Sequence, residues 1–143
     1  MNRCLIFAIV ALVLWPVSSF AQSLVADQAW VRLPPPVMDA TAGYMVVENA
    51  GDQDVVLIAV DSPVAEHVMM HGMQMSEGRM HMFPLPEVHV PAHASVSFVP
   101  GGMHIMLMGL HAPLRAGQSV HFEFKTSAGE LLPVDAIVRD MRK

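Results

Sequence analysis

The chain has one cysteine, Cys4, and it lies at the very start, ahead of an apolar run. Past that position there is no thiol to close a disulfide and no thiolate to offer a metal. Charge is sparse, at 15% of residues, and what there is leans acidic: 13 Asp+Glu against 8 Lys+Arg. With no basic patch in view, that balance excludes nucleic acid as a partner. After the N-terminal run, no stretch is long and apolar enough to cross a membrane. Helical periodicity is weak along the whole chain. Nor is there an internal repeat, a low-complexity tail or a linker that would split the chain into two domains.

The N-terminus reads MNRCLIFAIVALVLWPVSSFA. Arg3 precedes an apolar run from Cys4 to Val17, and Ser19 and Ala21 supply small residues at the −3 and −1 positions. This layout predicts a secretory signal peptide over residues 1–21, cut before Gln22. An uncleaved anchor is the alternative, but the run is short for a span of about 20 residues and carries Pro16 near its end. Cys4 comes too early to be a lipid-attachment site. Cleavage removes one basic residue and no acidic one, which takes the net charge from −5 to −6. Residues 22–143 then form one domain, large enough to bury a core. After cleavage it does not span a membrane.

What remains is punctuated by 11 prolines and 9 glycines. Between them lie short β-prone runs: 26–33, 42–49, 55–60, 68–75, 79–83, 88–90, 95–99, 103–108, 121–125 and 132–138. Pro34–Pro36 stops the first, and Ser76-Glu77-Gly78 reads as a hairpin loop. Many short strands at this spacing predict an all-β fold, a Greek-key β-sandwich or barrel. Trp30 and Tyr44 read as core aromatics of that sandwich.

Two residue types are in excess: 13 Met and 8 His. All the histidines lie between His67 and His121, and nine methionines lie between Met69 and Met108. Methionine alone would pass as core filling. Thioethers interleaved with imidazoles are a soft donor set suited to copper, Cu(I) in particular. Strand alternation sorts them further. His104, Met106 and Met108 share one face of their strand, with Met103, Ile105 and Leu107 on the core side. His71 is in register with Met69, Met73 and Met75, while Val68 and Met70 face the other way. Met80 and Met82 share a face, opposed by His81. Through the hairpin, Met80 or Met82 can lie across from the His71/Met73 face.

The spacing of four of these residues is specific. His71 is followed by ten residues and Met82; Met82 by twenty-one residues and His104; then come Ile105 and Met106. The flanks are Ala29-Trp30-Val31-Arg32, Gly43-Tyr44-Met45 before Glu48-Asn49, and Pro100-Gly101-Gly102 before His104. In all of this the chain resembles the periplasmic copper chaperone family known as PCuAC, over roughly residues 26–138. The resemblance implies a cupredoxin-like or immunoglobulin-like β-sandwich as a single domain. It implies one Cu(I) held near the surface by His71, Met82, His104 and Met106, in a protein of the periplasm. It also implies handover of that copper to a partner, either the copper subunit of cytochrome c oxidase or a thioredoxin-like copper chaperone. Cu(II) would bind weakly at most, because the chain stops at Asp140-Met141-Arg142-Lys143, without the His/Met-rich tail that some members use for it.

The donor chemistry agrees with a carrier. A Met thioether carries no proton, prefers Cu(I) to hard cations, and avoids the ready oxidation of an exported thiol. Blue-copper electron transfer needs a cysteine ligand, and metal catalysis needs an open position with acid–base partners, which no motif here supplies. The chain is therefore not expected to be an enzyme. Met69, Met73 and Met108 read as an apolar lip around the site, and Met75 and Met80 as packing or exposed residues. His67, His81, His89, His93, His111 and His121 read as ordinary surface histidines. The competing function is a copper buffer with no dedicated acceptor, suggested by the surplus His and Met.

Overall fold

A computed structural model describes residues 23–142. The signal-peptide reading of residues 1–21 falls outside the described residues. Within them the chain is all β, with ten strands in chain order. They are β1 (Leu24–Arg32), β2 (Ala40–Asn49), β3 (Val55–Asp61), β4 (Ala65–Ser76) and β5 (Arg79–Pro84). Then follow β6 (Val88–Val90), β7 (Ala94–Phe98), β8 (His104–Leu110), β9 (Ser119–Thr126) and β10 (Leu131–Arg139). Each overlaps a run anticipated from the sequence, so the all-β single-domain expectation holds.

The clearest alternation is in β9 and β10. Val120, Phe122 and Phe124 point inward between exposed neighbours, as do Leu132, Val134, Ala136 and Val138. That period of two is what a strand with one face on a core and one in water requires. Hydrogen bonding runs in the order β5-β4-β8-β2-β1-β10-β9-β3-β6, with β7 on β2 as well. All pairings are antiparallel except β1 with β10.

The sheet folds over on itself, and its two halves share one core. Phe98 of β7 meets Phe124 of β9 with ring centroids 6.1 Å apart. Phe122 of β9 presses on Gly43 of β2 so closely that a Cβ there would sit 2.9 Å from the ring. Ile105, Leu107, Val31, Val47 and Leu57 complete this interior.

One irregularity positions the site. β1 occupies one side of β2, so β7 and β8 lie end to end along its other side: β7 pairs with Met45–Asn49, and β8 with Ala40–Gly43. Residues 99–103 loop out between them, closed by Val99 N–H to Met103 O (2.8 Å) and Gly102 N–H to Val99 O (3.0 Å). Gly101, at φ +81°, takes the left-handed conformation this loop requires. The chain therefore re-enters the sheet at His104, the first residue of β8.

Candidate metal centre

β8, β4 and β5 lie side by side, and their register decides which donors meet. In the β4–β8 ladder His71 is directly opposite His104, and Met69 is opposite Met106. In the β4–β5 ladder Met73 is opposite Met82, and Met75 is opposite Met80. Met82 is thus the diagonal neighbour of His71, within reach of a long side chain.

The turn sets that second register. The sequence suggested a three-residue loop, Ser76–Gly78, but Ser76 still pairs with Arg79 and only Glu77 and Gly78 turn. Both have positive φ, +50° and +74°. Two consecutive left-handed residues make the type I′ turn, whose twist matches that of the strands it joins.

The two imidazoles stand edge to face, ring centroids 5.7 Å apart and planes at 71°. His104 is buried, at 4% exposure. Its Nδ1 lies 3.0 Å from the carbonyl oxygen of Gly102. A carbonyl can only accept, so Nδ1 carries the hydrogen and Nε2 keeps the lone pair that a metal takes. His71 is half-buried, and its Nδ1 is buried with no hydrogen-bond partner. Burial, and then the neighbouring His104, push its pKa below the ordinary 6.5. Both effects favour the neutral ring, the only form that ligates metal.

Met73, Met82, His104 and Met106 line one open cleft of about 420 Å³. Its far walls are Tyr44 and the Pro34-Pro35 and Met38 segment after β1. Tyr44 is buried, as expected of a core aromatic, but on the outer face of β2. There it stacks on Trp30 (centroids 4.5 Å) and helps wall the cleft. Three of the four ligands expected from the sequence therefore share this cleft, and His71 packs against His104 beside it. Sequence reasoning undervalued Met73, whose place opposite Met82 follows only once the turn is known to have two residues.

No carboxylate joins the pair. Among the described residues, no group of three or more His, Cys, Asp and Glu could hold a metal ion. Other histidines are committed elsewhere: His93 to Asp52 (2.7 Å), His89 to Glu87 (2.8 Å) and His121 to Asp135 (2.9 Å), all on exposed surface. Beside the hydroxyls of Thr41 and Tyr44, the cleft thus offers imidazole nitrogen and thioether sulfur, and no carboxylate. That set fits a soft monovalent ion and disfavours Mg, Ca and Mn.

The profile of the LpqE-like lipoprotein family matches residues 24–138, nearly the whole described chain. The chain belongs to the LpqE-like family. A protein named as a lipoprotein, Lxx21020 of Leifsonia xyli subsp. xyli, is 32% identical to this LpqE-like chain over 121 residues. That alignment covers 84% of this chain and 72% of the other. Among solved structures, apo-DR1885 from Deinococcus radiodurans is similar at 30% identity, with a TM-score of 0.67 over 99% of this chain and 95% of that one. The Cu(I) form of DR1885 is similar at 31%, with a TM-score of 0.64 over 88% and 84%. The copper-bound PCuAC domain of PmoF2 shares the fold, with a TM-score of 0.69 over 82% and 93% at 21% identity. The LpqE-like chain therefore has the fold of a PCuAC domain.

Proposed function

We propose that this protein is an exported Cu(I) carrier of the periplasm that holds one ion with His71, Met82, His104 and Met106 and hands it to an acceptor. The observation that carries this reading is the facing pair of imidazoles. One of them leaves a buried nitrogen unpartnered, and both sit beside a cleft lined with thioethers. A buried polar atom without a partner costs free energy that a bound metal removes. The likeness to DR1885, solved with Cu(I), supports copper as the cargo.

The geometry suits transfer better than storage in a closed site. Met82 lies on an edge strand and is 57% exposed, so an incoming ligand reaches the ion from that side. Exchange through shared coordination would begin there, with the buried His104 released last. The resemblance to PCuAC proteins points to the copper centre of cytochrome c oxidase as the destination, directly or through a thioredoxin-like copper protein. The role is binding and handover, without catalysis.

X-ray absorption at the copper edge tests the ligand set. The Cu(I)-loaded protein is expected to show imidazole nitrogen and thioether sulfur in the first coordination sphere. A sphere without sulfur overturns the assignment of Met82 and Met106.

A further inference from the structure

The ligand-type residues do not stop at the cleft. Along β8, β4 and β5 they form five successive cross-strand pairs: His67 with Met108, Met69 with Met106, His71 with His104, Met73 with Met82, and Met75 with Met80. The last pair lies one residue pair from the Glu77-Gly78 turn, near the tip of the hairpin. It is far from any core, with Met75 62% and Met80 47% exposed. Core filling, the usual reason for a methionine, does not account for side chains in water.

From Met73, Met75 and Met80, we infer a second, weaker Cu(I) site made of thioethers alone at the tip of the β4–β5 hairpin. Directly opposed residues have Cβ atoms about 5 Å apart, and residues two apart on a strand are separated by roughly 7 Å. A point among these three lies within about 4–5 Å of each Cβ, a distance that a flexible Met side chain and one metal–sulfur bond span together. Thioethers select Cu(I) over harder ions. Lacking imidazole, the hairpin site is the weaker of the two, as an entry or exit post must be. Met73 neighbours both sites: it follows His71 by two residues on β4 and faces Met82 across the ladder. This inference rests on Cu(I) being the cargo, but it assigns a separate site with separate ligands.

The test is an anaerobic Cu(I) titration of the full-length protein with chelators of graded affinity, while the methyl resonances of labelled methionine are followed. The native protein is expected to bind a second Cu(I) that shifts the Met75 and Met80 methyls. The Met75→Leu/Met80→Leu variant should lose that ion and keep the affinity of the first, since Leu for Met is well tolerated. Acidification provides a second readout. Binding at the hairpin should stay flat from neutral to mildly acidic pH, where an imidazole site weakens, because thioethers hold no proton. A His71→Ala/His104→Ala variant separates the two readings: it should lose the tight ion and still shift the hairpin methyls. A native protein that takes one Cu(I) and leaves Met75 and Met80 unmoved overturns the inference. So does a Met75→Leu/Met80→Leu variant that still binds two.

Discussion

His104 and His71 are the same residue type in direct register, yet the fold treats them differently. His104 is fixed by its Nδ1–H donating to the Gly102 carbonyl, so its metal-binding nitrogen is preset. His71 has no such anchor, and it is held by burial and by the face of its partner ring. Its depressed pKa has two consequences. Because the folded state binds the proton less readily than the unfolded chain, His71 contributes stability above about pH 6.5 that is lost as pH falls through its lower folded value. The metal-free protein should therefore melt at lower temperature on mild acidification, and His71→Gln should flatten that dependence. Cu(I) affinity should fall by about tenfold per pH unit once the pH passes below the lowered pKa of His71. An affinity that stays constant through the pH range in which the metal-free protein protonates His71 would remove His71 as a ligand.

At the scale of elements, the β4–β5 hairpin decides the register of Met82, and its turn rests on one awkward residue. Glu77 sits at φ +50°, a conformation that costs a non-glycine residue roughly 1–3 kcal/mol. Asparagine tolerates that region far better. Glu77→Asn should raise the unfolding temperature, and Glu77→Val should lower it. Thermal melts insensitive to both changes would mean that the type I′ turn does not form. The same hairpin marks where the sequence was legible and where it was not. Gly/Pro punctuation between short β-prone runs located all ten strands, and period-two alternation sorted the faces of those that are half-buried, such as β9 and β10. They could not say whether Ser76 turns or pairs, a matter of two backbone dihedrals. Nor could they show that β7 and β8 share one side of β2, because the 99–103 loop resembles an ordinary hairpin connection. The outward placement of Trp30 and Tyr44 was hidden for a related reason. Both are apolar enough for a core; Trp30 is re-aimed by the register shift in β1 between Asp27 and Trp30, where Gln28 has φ +53°, and Tyr44 faces away from its core neighbour Met45.

The whole molecule explains the two long gaps of the motif. Ten residues separate His71 from Met82 because the chain runs out along β4, turns on two residues and returns along β5. Twenty-one separate Met82 from His104 because the chain leaves the edge, crosses to pair β6 with β3, returns as β7 on β2 and loops out once before β8. The spacing thus records a path through both halves of the sandwich, so a full match was informative about the fold as well as the site. The result is a rigid interior with its soft donors gathered on one outer face beside the open edge at β5. Among the described residues no helix is long and apolar enough to cross a membrane. Whether that face holds copper is decided by a competitive Cu(I) titration of the protein beside a His71→Ala/Met82→Leu/His104→Ala/Met106→Leu variant. The native protein is expected to bind one tight ion that the variant loses; equal tight binding by both would mean that these four residues are not the site.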